Sequence, residues 1–396
     1  MQYLVAKYRA ALIIPMPLNT NNTDRLGYYQ VGQNKFYNKT LALIHSYRSR
    51  QKITWVFNDD VYGAIDWTVP VESSLTELYR RRAQQLRDQY DYLSLHFSGG
   101  VDSMNILHAF IDNNIFLDEI VMQMPKSFEA RNNPDDHSNS NFYSEILFSA
   151  TPHLKQYADR IDPRTKIRIQ DLETATIEML KKDNWFDDHP MGGSLSVSLL
   201  GKQMLRYTDT HILDFCYQGL RVAEILGIDK PIVSFENDNY YAFFLDLSAY
   251  HYNVPVDYSA TDIFNKHYCT EFFYWTPDAP EIVVKQAQLI KQAAELDPVV
   301  KDMLSRSRSV HIDQFRDLLQ PIIYPPHVQA RWRTEKPGSQ VIRPMDEWFW
   351  AQASQEIQHH YLEVIDYLKQ NTDAYQAIDG DLYKGIKGHS SPKYLL

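Results

Sequence analysis

The segment Phe97-Ser98-Gly99-Gly100-Val101-Asp102-Ser103 constrains the fold more than any other part of this chain. A short apolar run, residues 92–97, leads into it and ends at a glycine pair, as a buried strand does. A helical pattern over residues 101–113 follows, with Met104, Leu107 and Ile111 on one face. Two glycines let the backbone approach a ligand and take conformations closed to other residues. Ser98 and Ser103 add hydroxyls, and the start of a helix supplies free N–H groups and partial positive charge. Together these make an anion cradle for phosphate or pyrophosphate. Asp102 would repel an anion unless Mg²⁺ bridges the two. The plainer reading is a tight turn whose Ser and Asp cap a helix. Five fixed positions of this kind arise by chance in on the order of one chain in two thousand of this length. Neither the dinucleotide-binding G-x-G-x-x-G nor the Walker A pattern is present.

Around this turn the chain changes texture twice. Residues 1–88 mix short apolar pieces with Asn-rich turns, and read as a small α+β region. A strand is expected over 53–57 and a helix over 73–89, where Arg80, Arg81 and Arg82 read as a solvated face, with an anion-facing surface as the alternative. Residues 89–258 alternate strand-like and helix-like runs. Strands are expected at 92–97, 117–124, 166–172 and 211–217, which predicts an α/β fold: a parallel sheet with flanking helices. Residues 231–246 differ, with two β-rich runs separated by Asn237-Asp238-Asn239, the pattern of an antiparallel hairpin. Residues 259–396 read as mainly helical, with helices over 280–296 and 345–369 and a proline-rich joint at 321–326. The basic stretch 384–393 is expected to be solvated, with closure over a site as the alternative.

Composition narrows the function classes. A net charge of −10 makes a nucleic-acid partner unlikely for the 396-residue chain and favours a small-molecule acceptor. Two cysteines, Cys216 and Cys269, build neither a disulfide framework nor a Cys/His metal spacing. The amino terminus lacks a signal-peptide pattern, and no run approaches the ~20 apolar residues of a membrane span, so a cytoplasmic protein is expected.

The turn Ser98-Gly99-Gly100-Val101-Asp102-Ser103 resembles the signature of the PP-loop, or N-type, ATP pyrophosphatase superfamily, nearest to the synthetase domain of asparagine synthetase. That resemblance implies an adenine nucleotide alpha hydrolase-like sheet, with ATP and Mg²⁺ as cofactors and cleavage between the α- and β-phosphates. A substrate oxygen attacks the α-phosphate, pyrophosphate leaves into the cradle, and an amine or sulfur then displaces AMP. Ser98, Gly99, Gly100, Val101, Asp102 and Ser103 would hold the leaving group, with Asp102 also a metal ligand. Adenine is expected beside Met122, Gln123 and Met124. A weaker match covers residues 218–227, where Gly219, Glu224 and Gly227 fall on an asparagine-synthetase pattern. Ala223 stands where that family has a metal-binding aspartate; Asp229 is the expected substitute metal ligand, and Lys230 a candidate phosphate contact. Asp102, Lys230 and Glu224 are thus the catalytic candidates. The plainer reading makes 221–226 a helix and 229–231 a turn. Gln2 replaces the family's glutaminase cysteine, so nitrogen is expected from a separate ammonia donor, free ammonia or a substrate amine. A homo-oligomer is left open. Two rival readings are a sulfur-transfer or sulfonucleotide-reductase-like enzyme and a non-catalytic nucleotide-binding protein.

Other constellations read more plainly. Asp135-Asp136-His137 and Asp187-Asp188-His189 are expected in solvated loops, as is the polar stretch 132–141 unless it recognises the acceptor. His153, like His137 and His189, stands among scattered acidic residues; residues 191–196 read as a capped helix start, with a turn facing phosphate or substrate as the alternative; and Arg331 and Arg333 read as exposed, with a clamp on an anionic substrate as the alternative. His359 and His360 point to different faces of a helix.

Overall fold

The computed structural model describes residues 24–124, 146–171, 210–228, 230–246, 266–306, 312–328 and 388–396, with isolated positions at 354–355, 359 and 370–371. Strands β1 (Tyr28–Val31), β2 (Asn34–Phe36) and β3 (Ile53–Val56) form an antiparallel sheet in the order β2-β1-β3, with helix α1 (Lys39–Ser49) between β2 and β3. After a single helical turn at Asp59–Tyr62 comes helix α2 (Leu75–Gln89). Its cap is local chemistry: Ser74 accepts a hydrogen bond from the Glu77 N–H at 3.2 Å.

The alternating region follows: β4 (Tyr92–His96), α3 (Val101–Ile111), β5 (Glu119–Met124), α4 (Thr151–Gln156), β6 (Lys166–Asp171), α5 (Thr210–Tyr217), β7 (Val222–Leu226), the hairpin β8 (Ile232–Glu236) and β9 (Asn239–Phe243), and β10 (Tyr268–Phe272). Strands β10-β7-β4-β5-β6, in that order, make one five-stranded parallel sheet with β4 at its centre. Leu93 and Leu95 of β4 face the main apolar core, while Ser94 lies on the opposite face and donates to Glu119 at 2.8 Å. Helices α6 (Glu281–Leu296), α7 (Pro298–Ser305) and α8 (Ile312–Ile323) follow, and β11 (Tyr394–Leu395) adds to the hairpin in the order β11-β9-β8. The hairpin turns through Asn237 and Asp238, at φ 50° and 62°. Both positions are left-handed, the geometry that joins two twisted strands through two residues.

Several sequence expectations are corrected. Residues 211–217 lie in helix α5, not in a strand. Ile212 and Cys216 are buried while Tyr217 is 57% exposed, a helical rather than a two-residue period. Residues 222–226 are strand β7, not a helix, and all five are buried. Arg82 is not solvated: it is 1% exposed and its Nη2 reaches Glu271 of β10 at 2.7 Å, whereas Arg80 and Arg81 do face solvent and pair with Glu77. The region expected to be mainly helical supplies the edge strand β10. Helix α8 continues through Pro321, so the expected joint begins only at Tyr324.

One apolar core draws on all three expected regions, with Leu78 and Leu86 before residue 88, Leu93 and Phe244 between 89 and 258, and Trp275 and Ile290 beyond 258. Phe57 packs on Phe244 and Trp275, with ring centroids 5.0 and 5.7 Å apart. Beneath it, Lys39 and Asp246 form a fully buried ion pair at 2.7 Å, and Asp246 also accepts the Tyr29 hydroxyl at 2.6 Å and the His389 N–H at 2.9 Å. This knot ties α1, β1, the end of the hairpin and the last residues together. The described part of the basic stretch is not over the central turn, because Lys393 pairs with Glu236 on the hairpin. Among the described residues no helix is long and apolar enough to cross a membrane.

Candidate functional site

The glycine turn leaves the C-terminal end of the central strand β4. Ligands of open α/β folds bind at this edge of the sheet. Gly99 is left-handed, at φ 81°, and a Cβ built on it would lie 2.7 Å from the backbone nitrogen of Ala150. The turn is therefore closed from behind by the π turn Ile146–Ala150, whose Ser149 hydroxyl donates to the Gly99 carbonyl at 2.6 Å. Alanine at Gly99 should cost about 1–3 kcal/mol from the backbone conformation alone, before any clash. Urea denaturation measures the loss, and an unchanged midpoint would contradict the left-handed turn.

Gly100 caps α3 without a side chain, so the first N–H groups of the helix, from Val101 to Ser103, have no intrahelical acceptor. The serines turn inward. Ser98 Oγ accepts from Gly100 N at 3.2 Å and lies 3.3 Å from Ser103 Oγ, which donates to the Gly100 carbonyl at 2.9 Å. They shape the turn and leave the backbone donors for an anion.

Asp102 is the hub. Lys230 Nζ, between β7 and the hairpin, donates to Asp102 Oδ1 at 2.6 Å, and the Tyr324 hydroxyl donates to the same oxygen. Tyr274 donates to the Asp102 carbonyl at 2.9 Å and accepts from Asn105 at 2.9 Å. Burial first, then the Asp102 charge, pushes the Tyr324 hydroxyl well above the ordinary tyrosine range. Burial, then Tyr79 and Asp102, do the same to Tyr274. Both phenols therefore stay protonated and act as donors. Asp102 Oδ2 takes none of these bonds and the side chain is 27% exposed, so one carboxylate oxygen is open to a hard cation. Gly227, just after β7, packs against this turn: a Cβ there would sit 3.2 Å from Asp102 Cβ.

The expected residues thus separate. Ser98, Gly99, Gly100, Val101, Asp102, Ser103 and Lys230 converge on one place. Glu224 lies in the middle of β7, on the sheet face that carries Ser94. There it meets His96 Nε2 at 3.1 Å and accepts the Tyr268 hydroxyl. Ala223 is fully buried on the apolar face, paired with Leu93 and Cys269, and does not line the cradle. Gln123 is the penultimate residue of β5 and donates to Gln170 at 3.0 Å; its own Oε1 is buried and has no hydrogen-bond partner among the described residues. Asp229, the second expected metal ligand, lies outside the described residues, as do Asp135 to His137, Asp187 to His189, Met191–Ser196, Arg331, Arg333 and His360. Tyr274 and Tyr324 are the residues sequence reasoning missed. They come from 172 and 222 positions away, and no local pattern marks them.

No protein-family model matches this chain, and no curated protein matches it.

Proposed function

We propose that this chain is a PP-loop ATP pyrophosphatase, an AMP-forming enzyme that adenylates a small-molecule acceptor and joins nitrogen to it, built on an adenine nucleotide alpha hydrolase-like sheet. The observation that carries this reading is the meeting of Lys230 with Asp102 at 2.6 Å, at the mouth of a glycine turn on the central parallel strand. Backbone donors, a cation and a carboxylate at one helix start are what a departing pyrophosphate requires. In this reading an acceptor oxygen bonds to the α-phosphorus. The bond to the bridging oxygen breaks, and pyrophosphate leaves with that electron pair into the cradle. Lys230 and the α3 N–H groups stabilise the charge that grows there. A nitrogen nucleophile then displaces AMP. Asp102, through Oδ2, would hold Mg²⁺, which when bound neutralises phosphate charge. Tyr324 and Tyr274 position Asp102 and exclude water behind it.

A sulfur-transfer chemistry fits less well. Burial pushes the Cys216 thiol up to about 11, and Cys269 is buried within β10, so neither presents the thiolate that such chemistry needs. Replacing both cysteines with serine should leave product formation unchanged; loss of activity without loss of fold would restore the sulfur reading. The direct test is incubation with ATP, Mg²⁺ and a metabolite pool. AMP and pyrophosphate are the expected products, and ADP with phosphate would overturn the proposal.

A further inference from the structure

Helix α3 carries the cradle on its first turn and a second polar cluster on its last. His108 and Asp112 are one turn apart, and their Nδ1 and Oδ1 atoms lie 2.9 Å from each other. His327, in the turn after α8, brings Nε2 to 3.1 Å from Asp112 Oδ2. The rings of His108 and His327 are 4.8 Å apart at 73°. One ligand atom from each of the three residues lies within 4.8 Å of the other two. Around a single zinc ion with bonds of ~2.0 Å, tetrahedral ligand atoms sit about 3.3 Å apart. Closing to that geometry needs only a small shift of His327, the most exposed of the three at 48%.

The surroundings favour imidazole as a ligand. His108 is buried at the end of α3, with Nδ1 turned to Asp112. Its other nitrogen, Nε2, faces the Nε2 of buried His153 at 3.0 Å. Two such nitrogens share one hydrogen. With a metal on Nδ1, His108 would donate Nε2–H to His153, the hydrogen bond that orients metal-bound histidines. Tyr157 packs edge-on against the His108 ring at 4.6 Å and limits its rotation. Arg160 holds Asp112 Oδ1 at 2.8 Å, which leaves Oδ2 toward His327. Two imidazoles and one carboxylate suit zinc, cobalt or nickel rather than magnesium or calcium.

We propose that His108, Asp112 and His327 form a transition-metal site of the zinc type, with water completing the ion's coordination, and that it clamps the turn bearing His327 to the C-terminal end of α3. Tyr324 lies three residues before His327 and bonds Asp102 at the other end of the same helix. The clamp therefore fixes the residue that positions the hub of the cradle. The proposal does not depend on the reaction assigned to that cradle.

The test uses full-length, untagged protein stripped with a chelator and titrated with Zn²⁺ by equilibrium dialysis, then with Co²⁺ by visible absorption. Wild type should bind one equivalent, gain thermal stability on binding, and give the strong visible bands of four-coordinate cobalt. His327→Ala, at a half-exposed position, should fold normally and bind about tenfold or more weakly. Asp112→Asn, which keeps the side-chain shape, should lose the cobalt bands. Zinc bound equally by wild type and both variants, or not bound by wild type, would overturn the proposal.

Discussion

Alanine at Lys230 should slow AMP formation by about 10²–10³-fold, the loss seen when one group aimed at developing charge is removed. The ammonium lies at the mouth of the cradle, 12% exposed, and pairs with Asp102 at 2.6 Å. Without ligand that pair neutralises itself; in the proposed reaction the same ammonium would turn to the departing pyrophosphate. Removing Lys230 costs little fold, because Asp102 is partly exposed and keeps its bond from Tyr324. Rate and stability should therefore come apart. Arginine at the same position should recover part of the rate, since it keeps the charge but not the compact shape. Pyrophosphate release under saturating ATP gives the rate, and a thermal melt gives the fold. Wild-type turnover in Lys230→Ala would reduce the Lys230–Asp102 contact to a structural ion pair.

The second large effect is on stability. Lys39→Met should destabilise the protein by about 3–5 kcal/mol at neutral pH, because it leaves the Asp246 carboxylate buried without its counter-charge. Both side chains are fully buried. Burial alone would raise the Asp246 carboxyl, but the Lys39 ammonium and the His389 contacts outweigh it and hold the group down to about 2, against an ordinary 3.8. A carboxyl with a depressed folded-state value stabilises the fold above its unfolded value, and that contribution disappears as pH falls through the folded one. The gap between wild type and Lys39→Met should thus be widest once pH exceeds the raised value that burial gives Asp246 without Lys39, and shrink steadily as pH falls from there toward 2. Urea titrations across that window measure it. A gap that stays constant would mean that lost packing of the lysine stem, rather than charge, sets the cost.

Local chemistry made part of the fold legible. The run from Tyr92 into the glycine pair and on into α3 carries its own punctuation, and so does the Asn237-Asp238 turn. The segment 211–217 did not, because seven mostly apolar residues fit a buried strand or a buried helix equally well. Its neighbour 222–226 was hidden for a related reason. A strand buried on both faces shows no alternation, and Glu224 interrupts its apolar run. Arg82 looked like its neighbours Arg80 and Arg81, and only Glu271 across 189 residues makes it different. The site divides the same way. Its turn and Lys230 stand out by residue type, whereas Tyr274 and Tyr324 are two of 27 tyrosines, selected by tertiary packing alone.

The strand order also sets a schedule. β4 lies between β5 and β7, and Lys230 follows Asp102 by 128 residues. On a ribosome adding ~5–20 residues per second, the turn waits on the order of ten seconds for its cation. The edge strand β10, which carries the carboxylate partner of Arg82, is later still. A nascent chain that stops short of residue 268 therefore holds the glycine turn but has β7 open along one side, its backbone donors and acceptors bare. Such a fragment is a template for pairing with another strand, so for this protein the hazardous stage of synthesis falls after the glycine turn has been made and before its sheet is closed.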